Sequence, residues 1–120
     1  MAKFIKYWLP VLIWAAVIFF LSAQPDLKSS LPGKYDFILR KLAHISEYAV
    51  LFLLVSRAFL GHSFSTKKAL FLAFLFSVVY AISDEYHQTF IHGRVGAITD
   101  VLIDSIGIFA ATFWRWWRFR

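Results

Sequence analysis

Two short stretches of this sequence carry side chains that can act as general acids and bases. His44 and Glu47 are three residues apart, so in a helix they share one face, where the carboxylate can orient an imidazole that acts as a base. Asp84 and Glu85 follow in a separate stretch, and either carboxyl group could act as a general acid. We therefore predict hydrolysis or group transfer as one activity, with the candidate catalytic residues His44, Glu47, Asp84 and Glu85.

Further polar side chains are suited to holding a ligand. Arg94 carries a planar guanidinium that can bind a phosphate or carboxylate through two parallel hydrogen bonds. Asp100 and Asp104 are one helical turn apart, and oxygen-rich groups favour Mg²⁺, Ca²⁺ or Mn²⁺, so a divalent cation is a candidate cofactor. No P-loop, nucleophile elbow or HExxH pattern occurs, which leaves open whether the chain is an enzyme. The candidate ligand-binding residues are Lys41, Tyr48, Gln88, Arg94, Asp100 and Asp104.

The composition indicates that membrane-spanning elements position these residues. Hydrophobic residues make up 60% of the 120 positions and charged residues only 17%, whereas soluble domains carry about 45–50% and about 25%. The aromatic fraction of 20% excludes intrinsic disorder, because disordered chains are polar and poor in aromatics. The absence of cysteine excludes disulfides, a thiolate nucleophile and Cys-ligated metal sites.

Four long apolar segments predict four helices, at 7–23, 42–60, 68–88 and 97–116. Each is close to the ~17–25 residues that a spanning helix needs. We expect an all-α fold with a single domain over residues 1–120, in which four transmembrane helices form two antiparallel hairpins. The first segment could instead be a signal peptide, but a cut after Ala23 would put Leu21 at the −3 position, where a small residue is required, so we interpret it as a retained helix.

Smaller features predict the connections. Pro25 should end the first helix, and residues 26–34 are expected to form a loop. A serine or threonine within 63–66 should cap the third helix, and His62 is expected to be an ordinary loop residue. Gly107 and Ala111 are small residues at a spacing that allows close helix contact, which packing alone can explain.

The distribution of charge predicts the orientation of the helices. One set of helix ends is basic without any acid, so by the positive-inside rule it should face the cytoplasm together with both termini. This accounts for the net charge of +6, and no nucleic-acid-binding motif accompanies it, so we expect the lipid bilayer rather than nucleic acid as the partner. The acid-free ends carry Lys3, Lys6, Arg57, Lys67, Lys68, Arg115, Arg118 and Arg120, and the other ends carry Lys28, Lys34, Arg40, Lys41 and Arg94 with all seven acids.

The candidate residues therefore meet in one layer, at the extracytoplasmic ends of the second, third and fourth helices. A binding or catalytic site is one interpretation, and a polar network that only holds the helices together is the alternative. An ion or proton path is disfavoured, because residues 70–79 of the third helix are almost wholly apolar.

The motifs at these ends resemble those of the VanZ-like family of small bacterial membrane proteins. They are Ser22-Ala23-Gln24-Pro25, Arg40-Lys41-Leu42-Ala43-His44 with Glu47-Tyr48, Ser83-Asp84-Glu85-Tyr86-His87-Gln88, Gly93-Arg94, and Asp100-Val101-Leu102-Ile103-Asp104 with Gly107. The resemblance adds Ser22 and Gln24 to the ligand-binding candidates. It implies a multi-pass protein of the bacterial cytoplasmic membrane, similar to proteins that lower susceptibility to the lipoglycopeptide antibiotic teicoplanin. The ligand would be an anionic component of the cell envelope, such as a lipid-linked wall precursor or a lipid headgroup, or the lipoglycopeptide itself.

The orientation can be tested with topology reporters. Fusions at Gly61 and after Arg120 should report a cytoplasmic location, and a fusion at Ser30 an extracytoplasmic one, because basic residues are retained on the cytoplasmic side. Paired phosphatase and fluorescent-protein fusions measure this directly. A cytoplasmic location for Ser30 would contradict the assignment of the candidate site to the outer face.

Overall fold

Four α-helices make up the computed structural model, which describes residues 2–23, 33–88 and 98–119. They are α1 (Ala2–Ala23), α2 (Gly33–Gly61), α3 (Thr66–Gln88) and α4 (Ile98–Phe119). In this part of the chain, the prediction of an all-helical fold with four helices is confirmed.

The helix boundaries differ from the sequence-based ones mainly in α2. This helix begins at Gly33, so Lys34 is helical rather than part of a loop over 26–34. Hydropathy located the apolar segment from residue 42 onwards, but the polar residues before it, such as Arg40 and Lys41, are good helix formers that continue the helix. An apolar segment therefore marks the part of a helix that is hydrophobic rather than the whole of it.

The central helix is α2, which packs against all three others. Its buried face carries Tyr48, Leu51, Phe52 and Val55, each with no exposed surface. Side chains from every other helix complete this core: Val11 and Ile18 from α1, Ala73 and Ala81 from α3, and Ile108 and Ala111 from α4.

Polar contacts between α1 and α2 show that the two helices are antiparallel. Near the start of α1, the indole Nε1 of Trp8 donates a hydrogen bond to Nε2 of His62, just beyond the end of α2, at 3.0 Å. Further along α1, Nε1 of Trp14 donates to the carbonyl oxygen of Glu47 at 2.9 Å. His62 is therefore more than the ordinary loop residue that was predicted, because its imidazole fastens two helix ends together.

The turn between α2 and α3 is held by its own backbone. The carbonyl oxygen of Phe59 accepts hydrogen bonds from the amides of His62 and Phe64, and Ser63 has a positive φ of 68°. The hydroxyl of Ser65 accepts a hydrogen bond from the amide of Lys68 at 3.3 Å, which confirms the predicted cap of α3.

The outer surface of the bundle is rich in large apolar side chains. Soluble monomers rarely expose apolar area on this scale, whereas lipid-facing helices do. Within residues 2–23, 33–88 and 98–119, two helical segments, Ala2–Leu21 and Thr66–His87, are long and apolar enough to cross a membrane. The more exposed side chains include Phe4, Leu12, Phe20, Phe71, Val79, Leu102, Phe109 and Phe113.

Gly107 sets the distance between α4 and α2. It is buried, and a Cβ atom at this position would overlap the backbone carbonyl oxygen of Ile45. Backbone atoms cannot move aside as the end of a flexible side chain can, so only glycine permits this approach. The close contact expected from the small residues of α4 is confirmed at Gly107.

We predict that Gly107→Ala destabilises the protein, although alanine is the better helix former by about 1 kcal/mol. The added methyl must push α4 away from α2, and overpacking of this kind typically costs about 1–3 kcal/mol. Thermal unfolding of the purified protein in detergent measures the loss. Ala110→Ser, at an exposed position of the same helix, is the control and should leave stability nearly unchanged. A Gly107→Ala variant as stable as the wild type would contradict the steric role.

Candidate functional site

The polar end of the bundle is built around α2, where His44, Glu47 and Tyr48 lie within about one turn. Their spacing of three and four residues places them on neighbouring parts of one helix face. Tyr48 faces the core and is completely buried, whereas the side chains of His44 and Glu47 are 24% and 15% exposed. One face of α2 thus carries groups at graded depths, from the buried phenol to the partly accessible imidazole.

The imidazole of His44 lies between two carboxylates. Its Nδ1 is 3.7 Å from Oε2 of Glu47 on the same helix and 3.6 Å from Oδ1 of Asp104 on α4. Both distances exceed an ordinary hydrogen bond, so these are electrostatic contacts that strengthen if the imidazole is protonated. The predicted orientation of His44 by Glu47 thus includes a second carboxylate, from Asp104.

The close approach at Gly107 explains why Asp104 reaches His44. Asp104 precedes Gly107 by three residues and therefore lies one turn away on the same face of α4. Ile45, whose carbonyl meets Gly107, is the residue after His44. Bringing α4 against the backbone of α2 at this point carries the Asp104 carboxylate to the imidazole.

A buried hydrogen bond connects α2 to α3. The hydroxyl of Tyr48 donates to Oδ2 of Asp84 at 3.0 Å, with both side chains buried. Tyr48 lies one helical turn from His44 on α2, so the contacts of these two residues belong to one group. We call the five residues His44, Glu47, Tyr48, Asp84 and Asp104 the polar cluster.

The other predicted site residues fall into two groups. Glu85 is buried at the same end of α3, and Lys41 is half-buried one turn before His44 on α2. Ser22, Gln88 and Asp100 lie within helices, but their side chains are outside the described part of the structure, as are Gln24 and Arg94 altogether. The expectation that Arg94 and Asp100 join Glu47 and Asp84 therefore remains a prediction.

Two aromatic residues support the polar cluster and were not identified from the sequence. Trp14 holds the carbonyl of Glu47, as described above, and Tyr80 lies against the Tyr48 ring with 6.3 Å between centroids. The hydroxyl of Tyr80 donates to the carbonyl of Ala15, which ties α3 to α1 beside the cluster. Tyr80 lies four residues before Asp84, a spacing that places both on one face of α3 and could have indicated its position.

The chemistry available to the polar cluster is the holding and transfer of protons. The imidazole of His44 can accept a proton, and its positive charge then offsets part of the negative charge of the two carboxylates beside it. Among the side chains that the structure describes, no group of three or more His, Asp or Glu residues is arranged to hold a metal ion.

The comparison with protein families identifies one match. A family model described as VanZ/LLP1 matches residues 7–118, nearly the whole chain. No curated protein and no solved structure matches the sequence.

We predict that Tyr48→Phe lowers the free energy of unfolding by about 1–3 kcal/mol, because it leaves a buried carboxylate of Asp84 without its donor. Thermal unfolding in detergent measures the change. Tyr86→Phe, the same substitution at an exposed residue of α3, is the matched control and should have little effect. In a double-mutant cycle with Asp84→Ala, which removes the acceptor, the two substitutions should be non-additive. Strict additivity would show that the hydrogen bond does not stabilise the fold.

Proposed function

The chain belongs to the VanZ/LLP1 family, and from this membership we propose that it is a multi-pass protein of the bacterial cytoplasmic membrane that binds or modifies an anionic ligand of the cell envelope. Its apolar exterior and the two segments long enough to cross a bilayer support a membrane location. The remaining helices, α2 and α4, would span the membrane with them, since both pack against α3.

The proposed orientation has both termini in the cytoplasm. The acid-free ends of the helices contain the Trp8–His62 contact and the α2–α3 turn, and the opposite ends contain the polar cluster. Because basic residues are retained on the cytoplasmic side, the polar cluster would lie toward the extracytoplasmic face. There it would meet components of the outer leaflet and of the wall.

The observation that carries the proposal is the position of His44 between Glu47 and Asp104, beside the Tyr48–Asp84 hydrogen bond. Ionisable groups inside a membrane protein are costly, and they mark functional sites by default. Here three helices contribute them at one end, and the partly exposed His44 and Glu47 remain open to a ligand or proton donor. A purely structural network would have no need of this partial exposure.

Cationic side chains would make the contact with an anionic ligand. Glu47, Asp84, Glu85 and Asp104 would repel an anion by themselves, but they can hold cations in place beside the cluster. Lys41 is one turn from His44 on α2, and we propose Arg94 as the residue that binds a phosphate or carboxylate through its planar fork. The ligand class is a lipid-linked wall precursor, a lipid headgroup or an acylated glycopeptide such as teicoplanin, whose acyl chain can enter the bilayer.

A second candidate role, in which the cluster only fastens the helices, is favoured by the depth of two of its members. Tyr48 and Asp104 are almost completely inaccessible, and a ligand cannot reach them without opening the bundle. The two roles differ in what happens when a partly exposed or ligand-contacting residue is changed. Loss of function at a normal protein level identifies a ligand site, whereas loss of the protein from the membrane identifies a network that only holds the helices together.

We predict that Arg94→Lys abolishes protection against teicoplanin while the protein stays at its normal level in the membrane. Lysine keeps the charge but lacks the two parallel donors of the guanidinium. The measurement is the inhibitory concentration of teicoplanin, and of an unacylated glycopeptide, for a susceptible bacterium that expresses each variant. Arg118→Lys, an equivalent substitution at an exposed residue of α4, is the matched control and should protect like the wild type.

The other outcomes bear on different parts of the proposal. Wild-type protection by Arg94→Lys would exclude the bidentate role of Arg94. A wild-type chain that gives no protection would contradict the resistance function. Loss of the Arg94→Lys protein from the membrane would support the fastening role instead.

A further inference from the structure

The end of the bundle opposite the polar cluster contains a concave pocket lined by three basic residues. Lys6 of α1, Arg57 of α2 and Arg115 of α4 face a volume of about 450 Å³, together with Tyr7, Leu60 and Gly61. Each cation comes from a different helix, so their meeting is a product of the tertiary fold. We call this the basic pocket.

Specific contacts organise the basic pocket around the ring of Tyr7. The guanidinium carbon of Arg57 is 4.9 Å from the centroid of this ring, and Nζ of Lys6 is 5.3 Å from it. Nη1 of Arg57 also donates to the carbonyl oxygen of Lys6 at 3.4 Å. Two cations are thereby held beside one aromatic ring, an arrangement that cation–π attraction supports.

Gly61 allows the Tyr7 ring to take this position. A Cβ atom at residue 61 would lie 2.6 Å from three carbon atoms of the ring, well inside van der Waals contact. The absence of a side chain at the end of α2 lets the ring lie against the helix, where it forms one wall of the pocket.

The acids of α2 and α4 lie far along each helix from the cations of the basic pocket. Glu47, the nearest acid to Arg57 along α2, is ten residues away, or about 15 Å at 1.5 Å per residue. Asp104 is eleven residues from Arg115, about 16 Å along α4, and the sequence of α1 contains no acid. The acids of these helices therefore lie toward the other end of the bundle, and the charge of the residues that line the pocket is positive.

We propose that the basic pocket binds a phosphate group, either as the headgroup of an anionic phospholipid or as free phosphate. Two guanidinium groups and an ammonium group supply charge-assisted donors that suit phosphate oxygens. The pocket is open to its surroundings, and Leu60 adds an apolar side chain to its lining that the start of an acyl chain would contact. The positive-inside rule accounts for the number of basic residues at this end, but it does not require three of them, from three helices, to line one pocket.

This proposal is independent of the role of the polar cluster and can be tested on purified protein. Thermal stability is measured in nanodiscs of phosphatidylcholine alone and of phosphatidylcholine with phosphatidylglycerol. It is also measured in detergent with sodium phosphate or with sodium chloride at the same ionic strength. A ligand that binds only the folded state raises Tm, by an amount that increases with the ratio of its concentration to its Kd. We expect phosphatidylglycerol, phosphate or both to raise the Tm of the wild type.

The two sources of phosphate give different results. A rise with phosphatidylglycerol only would identify the lipid headgroup, and a rise with inorganic phosphate only would identify free phosphate. A rise with both would show a pocket that accepts phosphate in either form. No rise with either probe would overturn the proposal.

Substitutions show whether the rise in Tm comes from binding at the basic pocket. Arg57→Gln and Arg115→Gln should each weaken binding of the effective probe about tenfold, the loss expected for one charge-assisted hydrogen bond. Arg118→Gln removes the same charge from the same end, outside the pocket, where the guanidinium lies over Trp114 at 5.8 Å, and it should leave binding unchanged. Lys6→Gln, at an exposed residue, provides a further pocket variant if an arginine variant fails to fold. Equal weakening by Arg118→Gln would overturn the proposal, because it would show attraction to the general charge of this end.

Discussion

The close contact between α2 and α4 at Gly107 is the constraint on which the polar end of this protein depends. Because Gly107 has no side chain, the backbone carbonyl of Ile45 packs directly against it, and α2 and α4 approach closely at this level. The neighbouring turn of each helix then brings His44 and Asp104 together. A slightly larger separation of the helices would leave the Asp104 carboxylate buried without the imidazole beside it. The desolvation penalty of this carboxylate would then destabilise the fold.

The acids of the polar cluster are accommodated by different means at different depths. The deepest contact is the hydrogen bond that the neutral phenol of Tyr48 donates to the carboxyl group of Asp84. His44 is nearer the surface, where water and a ligand can reach it, and it can carry a proton when Glu47 and Asp104 require one. The buried members of the polar cluster could therefore hold three helices together, while its partly exposed members exchange protons or bind a ligand.

The two ends of the bundle have opposite electrostatic characters. Acids and His44 meet at one end, whereas Lys6, Arg57 and Arg115 meet at the other, and the apolar core between them carries few ionisable groups. This polarity along the helices suits a chain held in one orientation across a bilayer, because each end matches a different environment. It also means that a ligand of either end would act on the same central helix, since α2 supplies His44 to one site and Arg57 to the other.

Features that depend on one helix at a time followed from the sequence alone. The four helices, the cap of α3 near Ser65 and the shared face of His44 and Glu47 are set by local propensity and by the fixed rotation of 100° per residue. The choice of partners between helices did not follow: the bond of Tyr48 to Asp84, the bond of Trp8 to His62, and the meeting of Arg57 with Lys6 across Tyr7. These pairings depend on how closely and at what rotation two helices pack. That geometry is decided by side-chain volumes along the whole interface, down to the missing side chains of Gly61 and Gly107, and only the tertiary structure contains it.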